Sequence, residues 1–442
     1  MSCTSESQKF KVRRYRRRKK MSDIHESTLY WNGIFSDDDC SYRSSDEDND
    51  SRLEMKLDPS GSTNELRIFV GTWNVGGRSP VKSLSVDLHD WLDLKNAADI
   101  YVLGFQEIVP LKTRHVIGAE DQTEATNWNL LVGNTLNDKY DCHRLASISI
   151  SSDRYVRYNE TAQKRSYPDN ASLMERWTSM RDYAAMEGSR YQLKASKKLV
   201  GVLLSVWMRK ELLDNYSVSN AKVCSVGCGI MGYLGNKGSV SVSMHIGGTS
   251  YCFVAAHLAS GEKKGDETRR NNQVSEIFRR TAFPSTEKEE ELIHPATILE
   301  HDRVLLFGDL NYRLYLEDSL ARHLIQKEDW KGLQEFDQLR RELEEGGAFQ
   351  GWQEGNIEFA PTYKYSVANC QRYSGGHPAR AGEKQRTPAW CDRILWYGKG
   401  MKQVSYVRSE SKFSDHRPVS ALFSIPVEVN NAGLQEHITY SH

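Results

Sequence analysis

"RVLLFGDLNYR", residues 303 to 313, changes character in one step: an apolar run ends abruptly at Gly308 and hands over to Asp309 and Asn311. A short apolar run of this kind, bounded by turn residues, has the length of a buried strand rather than of a helix. The same design recurs along the chain. "LRIFVGTWNVGG" (66–77) runs into a glycine turn at Asn74, "DIYVLGFQE" (99–107) ends at Glu107, and "YCFVAAHL" (251–258) ends at His257. In "RTPAWCDRILWYG" (386–398) and "SDHRPVSALF" (414–423) the order is reversed, a polar elbow leading into a strand. Strand ends therefore carry the polar residues.

Between these strands lie helical stretches, "VKSLSVDLHDWLDL" (81–94) and "FDQLRRELEEG" (336–346), the second with Gly346 placed as a C-cap. "SVSVSMHI" (239–246) and "PVSALFSIPV" (418–427) alternate apolar and polar positions, as strands of antiparallel or mixed sheets do. The simplest assembly is an α/β two-sheet sandwich. "LVGVLLSVWM" (199–208) reads as one buried strand, too short and too closely flanked by charge to cross a membrane. The polar stretch from about 141 to 197 has little period and reads as a surface insertion. No internal repeat is evident.

With 442 residues, 38% of them hydrophobic and 10% aromatic, the chain can bury a sizeable core. It opens without the apolar segment of a secretory signal, and its eight cysteines follow no framework spacing, which points to a reducing, cytoplasmic compartment with free thiols. Cys224 and Cys228 stand four apart, but no second pair lies near enough to complete a zinc site. Charge is uneven although its sum is zero. "KFKVRRYRRRKK" (9–20) is almost entirely basic and "SDDDCSYRSSDEDND" (36–50) is strongly acidic, so residues 1–64 read as a disordered charged tail. The folded body is then 65–427, followed by a short tail, 428–442. Removing residues 1–64 takes equal numbers of acids and bases, so the body stays formally neutral, which argues against a nucleic-acid partner.

One carboxylate, Glu107, and one amide, Asn74, make a sparse set of hard oxygen ligands. That suits Mg²⁺, which keeps several waters and takes few protein ligands beside substrate phosphate. Asp309 and Asn311, two apart at a strand end, can point to one side and position a water, while His257 and His416 supply donors to a developing phosphorane charge. Asp392 is the carboxylate to orient a histidine, and Asp392 and His416 read as heading adjacent strands. Two glycine motifs fail their context tests. "GCGIMG" (227–232) spells GxGxxG but leads into a loop and a strand, and "GYLGNKGS" lacks the Ser or Thr that must follow Lys in a phosphate loop. What remains is a glycine-rich turn presenting Asn236 and Lys237 to an anion.

In this order "FVGTWNVGG", "YVLGFQEIVPL", "GYLGNKGSVSVSM", "FVAAHLASGEKKGDETRRNNQ", "LLFGDLNYRL", "PTYKYS", "RTPAWCDRILW" and "SDHRPV" resemble the inositol polyphosphate 5-phosphatases, most closely the plant type I members, over residues 65–427. The resemblance implies the deoxyribonuclease I-like endonuclease/exonuclease/phosphatase fold and removal of a 5-phosphate from inositol rings, in lipids or in soluble polyphosphates. It gives Glu107 and Asn74 to Mg²⁺, His257 to the scissile phosphate, Asp309 and Asn311 to the attacking water, and His416 with Asp392 to a His–Asp pair. Asn236 and Lys237 would meet the ring's 1-phosphate, and Tyr363, Lys364 and Lys384 its 4-phosphate. Ser366 stands where many relatives carry an acid. A metal-dependent nuclease of the same fold is the alternative reading, and a catalytically silent interaction protein a third. A monomer is expected. The basic run 9–20 suggests peripheral contact with anionic membrane, or alternatively a nuclear-import signal.

Overall fold

Strand formation follows the apolar runs. The computed structural model describes residues 65–118, 120–137, 189–219, 221–284, 295–366, 369–375 and 385–426. The expected tails 1–64 and 428–442, most of the expected insertion, the basic run 9–20 and Lys384 lie outside these residues. The strands among the described residues are β1 (Glu65–Asn74), β2 (Ile100–Gln106), β3 (Tyr191–Leu199), β4 (Val202–Arg209), β5 (Lys222–Gly227), β6 (Gly238–Ile246), β7 (Thr249–His257), β8 (Arg303–Asp309), β9 (Gln353–Glu354), β10 (Asp392–Gly398), β11 (Lys402–Arg408) and β12 (Val419–Pro426). They form two six-stranded sheets, ordered β11-β12-β1-β2-β4-β3 and β5-β6-β7-β8-β10-β9. Each is mixed: β1–β2 and β7–β8 pair in parallel, their other neighbours antiparallel. The expected α/β sandwich is what forms.

Alternation along each strand divides the core into three layers. Ile68, Val70, Val102, Val242, Phe253, Phe307, Ile394 and Phe423 meet between the sheets. The opposite faces are buried as well, one under helices Ser85–Trp91 and Thr123–Asn137 with Trp73, Trp91 and Trp128, the other under helix Asp266–Arg280 with Val274 and Ile277. At about 25 cal/mol per Å² of apolar area, these layers supply the main driving force for folding. The sheets approach closely at Gly104, where a Cβ would lie 2.6 Å from the Phe307 ring. Burial on both faces extends to the polar positions of β6, where Ser239, Ser241 and Ser243 are covered as well.

The helix expected over 336–346 is Gln338–Glu345, with Asp337 accepting from the Arg340 N–H as N-cap and Gly346 in the left-handed region as C-cap. The helix expected over 81–94 shortens to Ser85–Trp91 with single 3-10 turns on either side. Two readings change at their bounds. The buried strand expected over 199–208 forms as β4 but begins only at Val202, because the chain reverses at Val200–Gly201 and Leu199 closes β3, which pairs with β4. The insertion does not extend to 197, since β3 already begins at Tyr191; its lysines at an edge mask the pattern, while Tyr191 and Ala195 are buried. Asn137, ending its helix, clasps the start of this strand: its amide accepts from the Tyr191 N–H at 2.7 Å and donates to the Tyr191 carbonyl at 3.0 Å.

A buried ion network ties β9, β10 and β11 together. Arg393 donates to both carboxylate oxygens of Glu354 at 2.7 and 2.6 Å and to both of Asp337 at 2.9 Å. Tyr406 of β11 donates to Glu354 at 2.9 Å.

Candidate active site

Register brings the polar strand ends together. His257 of β7 stands opposite Asp309 of β8, and Asp309 opposite Asp392 of β10, so three functional side chains occupy neighbouring strands at one level. Gly308 permits this with φ +148°, where a Cβ would meet the Ala256 carbonyl oxygen at 1.9 Å. The other sheet contributes Asn74 from the end of β1, Glu107 immediately after β2, and His416 just before β12. Asp392 and His416 therefore head strands of opposite sheets, not adjacent strands of one. The pair forms because the ends of the two sheets converge there: His416 Nδ1 lies 2.9 Å from Asp392 Oδ2, and both residues are buried.

Around this pair the side chains are dense. His257 Nε2 lies 3.2 Å from Asp309 Oδ2 and 3.9 Å from Glu107 Oε1, and Asn74 donates to Asp309 Oδ2 at 2.9 Å. His416 Nε2 is 3.9 Å from the same oxygen. Asn311 reaches the site by a different route from the one its spacing suggested. The strand ends at Asp309, and Asn311 takes a left-handed φ of 58°, donating its backbone N–H to Asp309 Oδ1 at 3.2 Å and its amide to the Leu258 carbonyl at 3.1 Å.

Electrostatics set the protonation states. Burial alone would raise Asp309, but His416 and His257 more than offset it and hold the carboxyl well below its usual range. Burial would lower His416, yet Asp392 and Asp309 push it up to about 9. Asp392 is raised by burial against the pull of His416. At neutral pH the cluster thus holds a charged imidazole against an ionised Asp309. Lys237, expected at the ring's 1-phosphate, is placed against His257 Nε2, and burial lowers it to about 8 although Asp309 and Glu107 pull the other way. Asn236 accepts the Ile230 N–H at 3.1 Å and so shapes its own glycine-rich turn.

The tightest group of potential metal ligands among the described residues is Asp309, Asp392 and His416, whose ligand atoms lie within 4.8 Å of one another. Holding a cation there would break the His–Asp hydrogen bond, so the chemistry favours the other side of Asp309. There Glu107 offers a partly exposed carboxylate, and the Asn74 side-chain oxygen, which accepts the Gly76 N–H at 3.0 Å, takes no other donor among the described residues, leaving a lone pair. An oxygen-only set of this kind fits a hard divalent cation.

Sequence reasoning gave no role to three supporting residues. Thr362 donates to Asp392 Oδ2 at 2.6 Å, on the oxygen that also faces His416. Asp415 pairs with Lys364, holding the lysine's charge beside the site and itself held below the usual carboxylate range against the effect of burial. Arg313 binds Asn311 and lies 4.7 Å from the Tyr363 ring, which packs 4.4 Å from the His416 ring. Thr362 adjoins Tyr363 and Lys364, Asp415 adjoins His416, and Arg313 follows Asn311 by two; that adjacency was the available signal.

Two sheets whose polar ends converge on a His–Asp pair and an oxygen-ligand corner define a metal-dependent phosphoesterase of the endonuclease/exonuclease/phosphatase type. The model of Endonuclease/Exonuclease/phosphatase family 2 matches residues 71–422. Type I inositol polyphosphate 5-phosphatase 8 of Arabidopsis thaliana is 46% identical over 417 residues, covering 94% of this chain and 81% of the relative. Type I inositol polyphosphate 5-phosphatase 4 of the same plant is 40% identical, covering 90% and 85%. Among solved structures, the inositol polyphosphate 5-phosphatase domain of SPsynaptojanin, in complex with inositol (1,4)-bisphosphate and calcium ion, matches with TM-score 0.59 and 27% identity over 82% of this chain and 84% of that one. The chain belongs to the inositol polyphosphate 5-phosphatases.

Proposed function

We propose that this phosphatase uses Mg²⁺ to remove the 5-phosphate of phosphatidylinositol 4,5-bisphosphate, phosphatidylinositol 3,4,5-trisphosphate and soluble polyphosphates such as inositol 1,4,5-trisphosphate. The observation that carries the reading is the buried Asp309–His257–Asp392–His416 cluster, in which an anionic carboxylate and a cationic imidazole coexist within 3.9 Å. Asp309, kept ionised, accepts a hydrogen bond from the attacking water and aims its lone pair at phosphorus. His416, kept protonated and oriented by Asp392 and Thr362, donates to the phosphoryl oxygens as negative charge gathers there. His257 and Lys237 line the same position. Water adds to phosphorus, the bond to the ring oxygen breaks, and the products are the ring hydroxyl and inorganic phosphate. Glu107 and Asn74 would hold Mg²⁺, which supplies Lewis-acid stabilisation when bound. Lys364, drawn towards the site by Asp415, meets the ring's 4-phosphate beside Tyr363.

Phosphate release from these three substrates, with and without EDTA and with a DNA duplex as control, tests the reading. Release from the inositides only, abolished by EDTA and restored by Mg²⁺, is expected. No release from any inositide at millimolar Mg²⁺ overturns the substrate class, and EDTA-resistant release overturns the metal. Recruitment by the basic run 9–20 is a separate part of the proposal, at about 1 kcal/mol per basic residue near an anionic surface. Deleting residues 1–20 should weaken binding to anionic liposomes in a salt-dependent way and leave turnover of inositol 1,4,5-trisphosphate unchanged; unchanged liposome binding favours nuclear import.

A further inference from the structure

Arg313 is a buried cation that the reaction outlined above does not use. Its side chain is 3% exposed, yet no carboxylate among the described residues pairs with it in the manner of Arg393. Instead it wraps one residue. Nε donates to the Asn311 carbonyl at 3.1 Å and Nη2 to the Asn311 side-chain oxygen at 2.6 Å. Its backbone is locked as well, the N–H donating to Gln338 at 2.8 Å and the carbonyl accepting from the Gln338 N–H at 2.9 Å. The guanidinium carbon sits 4.7 Å from the centre of the Tyr363 ring, within cation–π range, and that ring packs 4.4 Å from the imidazole of His416. Nη1 is buried without a hydrogen-bond partner among the described residues.

A buried guanidinium with an unpaired donor costs stability, of the kind retained where function requires it. Asn311 needs such support more than most residues. It holds a left-handed φ of 58° outside any strand, and its amide donates to Leu258, so its carbonyl end must be fixed by something else. Only a planar fork can take the backbone oxygen and the side-chain oxygen of one residue together; an ammonium cannot also lie flat on a ring. We propose that Arg313 is a positioning residue of the phosphatase reaction: it sets Asn311 beside Asp309 and, by bracing Tyr363, keeps the His416 ring in register with the same phosphorus. It acts through these neighbours and not by touching substrate.

The inference rests on the proposed hydrolysis of inositol 1,4,5-trisphosphate, so wild-type turnover is measured first; no turnover there removes the substrate reading and not this one. Given turnover, Arg313→Met should lower kcat about a hundredfold while KM changes less than threefold, the pattern of misplaced groups rather than lost binding. Arg313→Lys should stay at least tenfold impaired, because charge alone does not reproduce the fork. Asn311→Ala combined with Arg313→Met should fall clearly short of the product of the two single losses, since part of the Arg313 effect passes through Asn311; fully multiplicative losses overturn that route. Should Arg313→Met fail to fold, Arg313→Lys and Arg313→Gln carry the same comparison. A rise in KM with kcat unchanged means that Nη1 binds substrate phosphate directly, and overturns the positioning role. Full activity in a folded variant, or complete rescue by lysine, overturns it too.

Discussion

Asp392 and Arg393 are consecutive residues of β10, both buried, and they anchor charge clusters built on opposite principles. Around Arg393 every nitrogen of the guanidinium donates, and both carboxylates that receive it are filled. Around Asp392 the pairing is incomplete: Asp392 Oδ1 and His257 Nδ1 are buried without hydrogen-bond partners among the described residues, and two carboxylates face each other across one imidazole. The Arg393 network has the geometry that lets a buried ion pair hold together, whereas the Asp392 cluster keeps unused hydrogen-bonding capacity at the position where a phosphate arrives. One alternation step along a strand thus separates a structural rivet from a reactive centre.

Breaking each cluster should have opposite readouts. Glu107→Gln and His416→Ala should each cost at least three decades of kcat, about 4 kcal/mol, and in Glu107→Gln the melting temperature of the folded enzyme should be little changed. A variant folded by circular dichroism that keeps near wild-type turnover at saturating Mg²⁺ would refute its assignment. Asp392→Asn should lose less, one to two decades, if its task is orientation. Arg393→Ala should do the reverse: about 3 to 5 kcal/mol of stability lost in denaturant titrations, since Asp337 and Glu354 are left buried and uncompensated, with kcat per folded molecule nearly intact. A large kcat loss at unchanged stability would erase the distinction between the clusters.

Sharpening the comparison needs a charged group at the edge of the site. Lys364, paired with Asp415 and partly exposed, has no part in water activation. Lys364→Ala should reduce kcat/KM on a 4,5-bisphosphate by one to two decades, about 1.5 to 3 kcal/mol, and spare a 5-monophosphate. Equal losses on both would sink the 4-phosphate assignment.

The gentlest probe is pH. His416 is raised in the folded state from 6.5 to about 9, so the stability it contributes is fully present below pH 6.5 and is lost as pH rises through about 9. Wild-type denaturation midpoints should therefore fall between pH 6.5 and 9, and this slope should be absent from His416→Ala. An unchanged slope in the variant would place the titrating group elsewhere.

Much of this was legible in the sequence, because a strand that ends in a polar residue announces both its burial and its exit point. Asn74, Glu107, His257, Asp309, Asp392 and His416 were all found that way, and all converge. What linear order could not give was which sheet each strand joins: His416 and Asp392 looked like neighbours and instead close the gap between sheets. The turn at Val200–Gly201 was hidden at the start of an apolar run, since Leu199 and Val200 continue the apolar character of β4 and the reversal uses only two residues. Arg313 and Thr362 escaped notice because their significance lies in contacts across the fold, to Tyr363 and to Asp392.

The clasp between Asn137 and Tyr191 bears on the length of chain it encloses. Because one amide side chain joins both ends of residues 138–190, the chain leaves and re-enters the sandwich at a single point on an edge strand. Closure entropy grows only logarithmically with the length between such anchors, about 0.6 kcal/mol for each doubling. A longer segment between these anchors should therefore cost little stability, the extra length being closed by the same pair of hydrogen bonds.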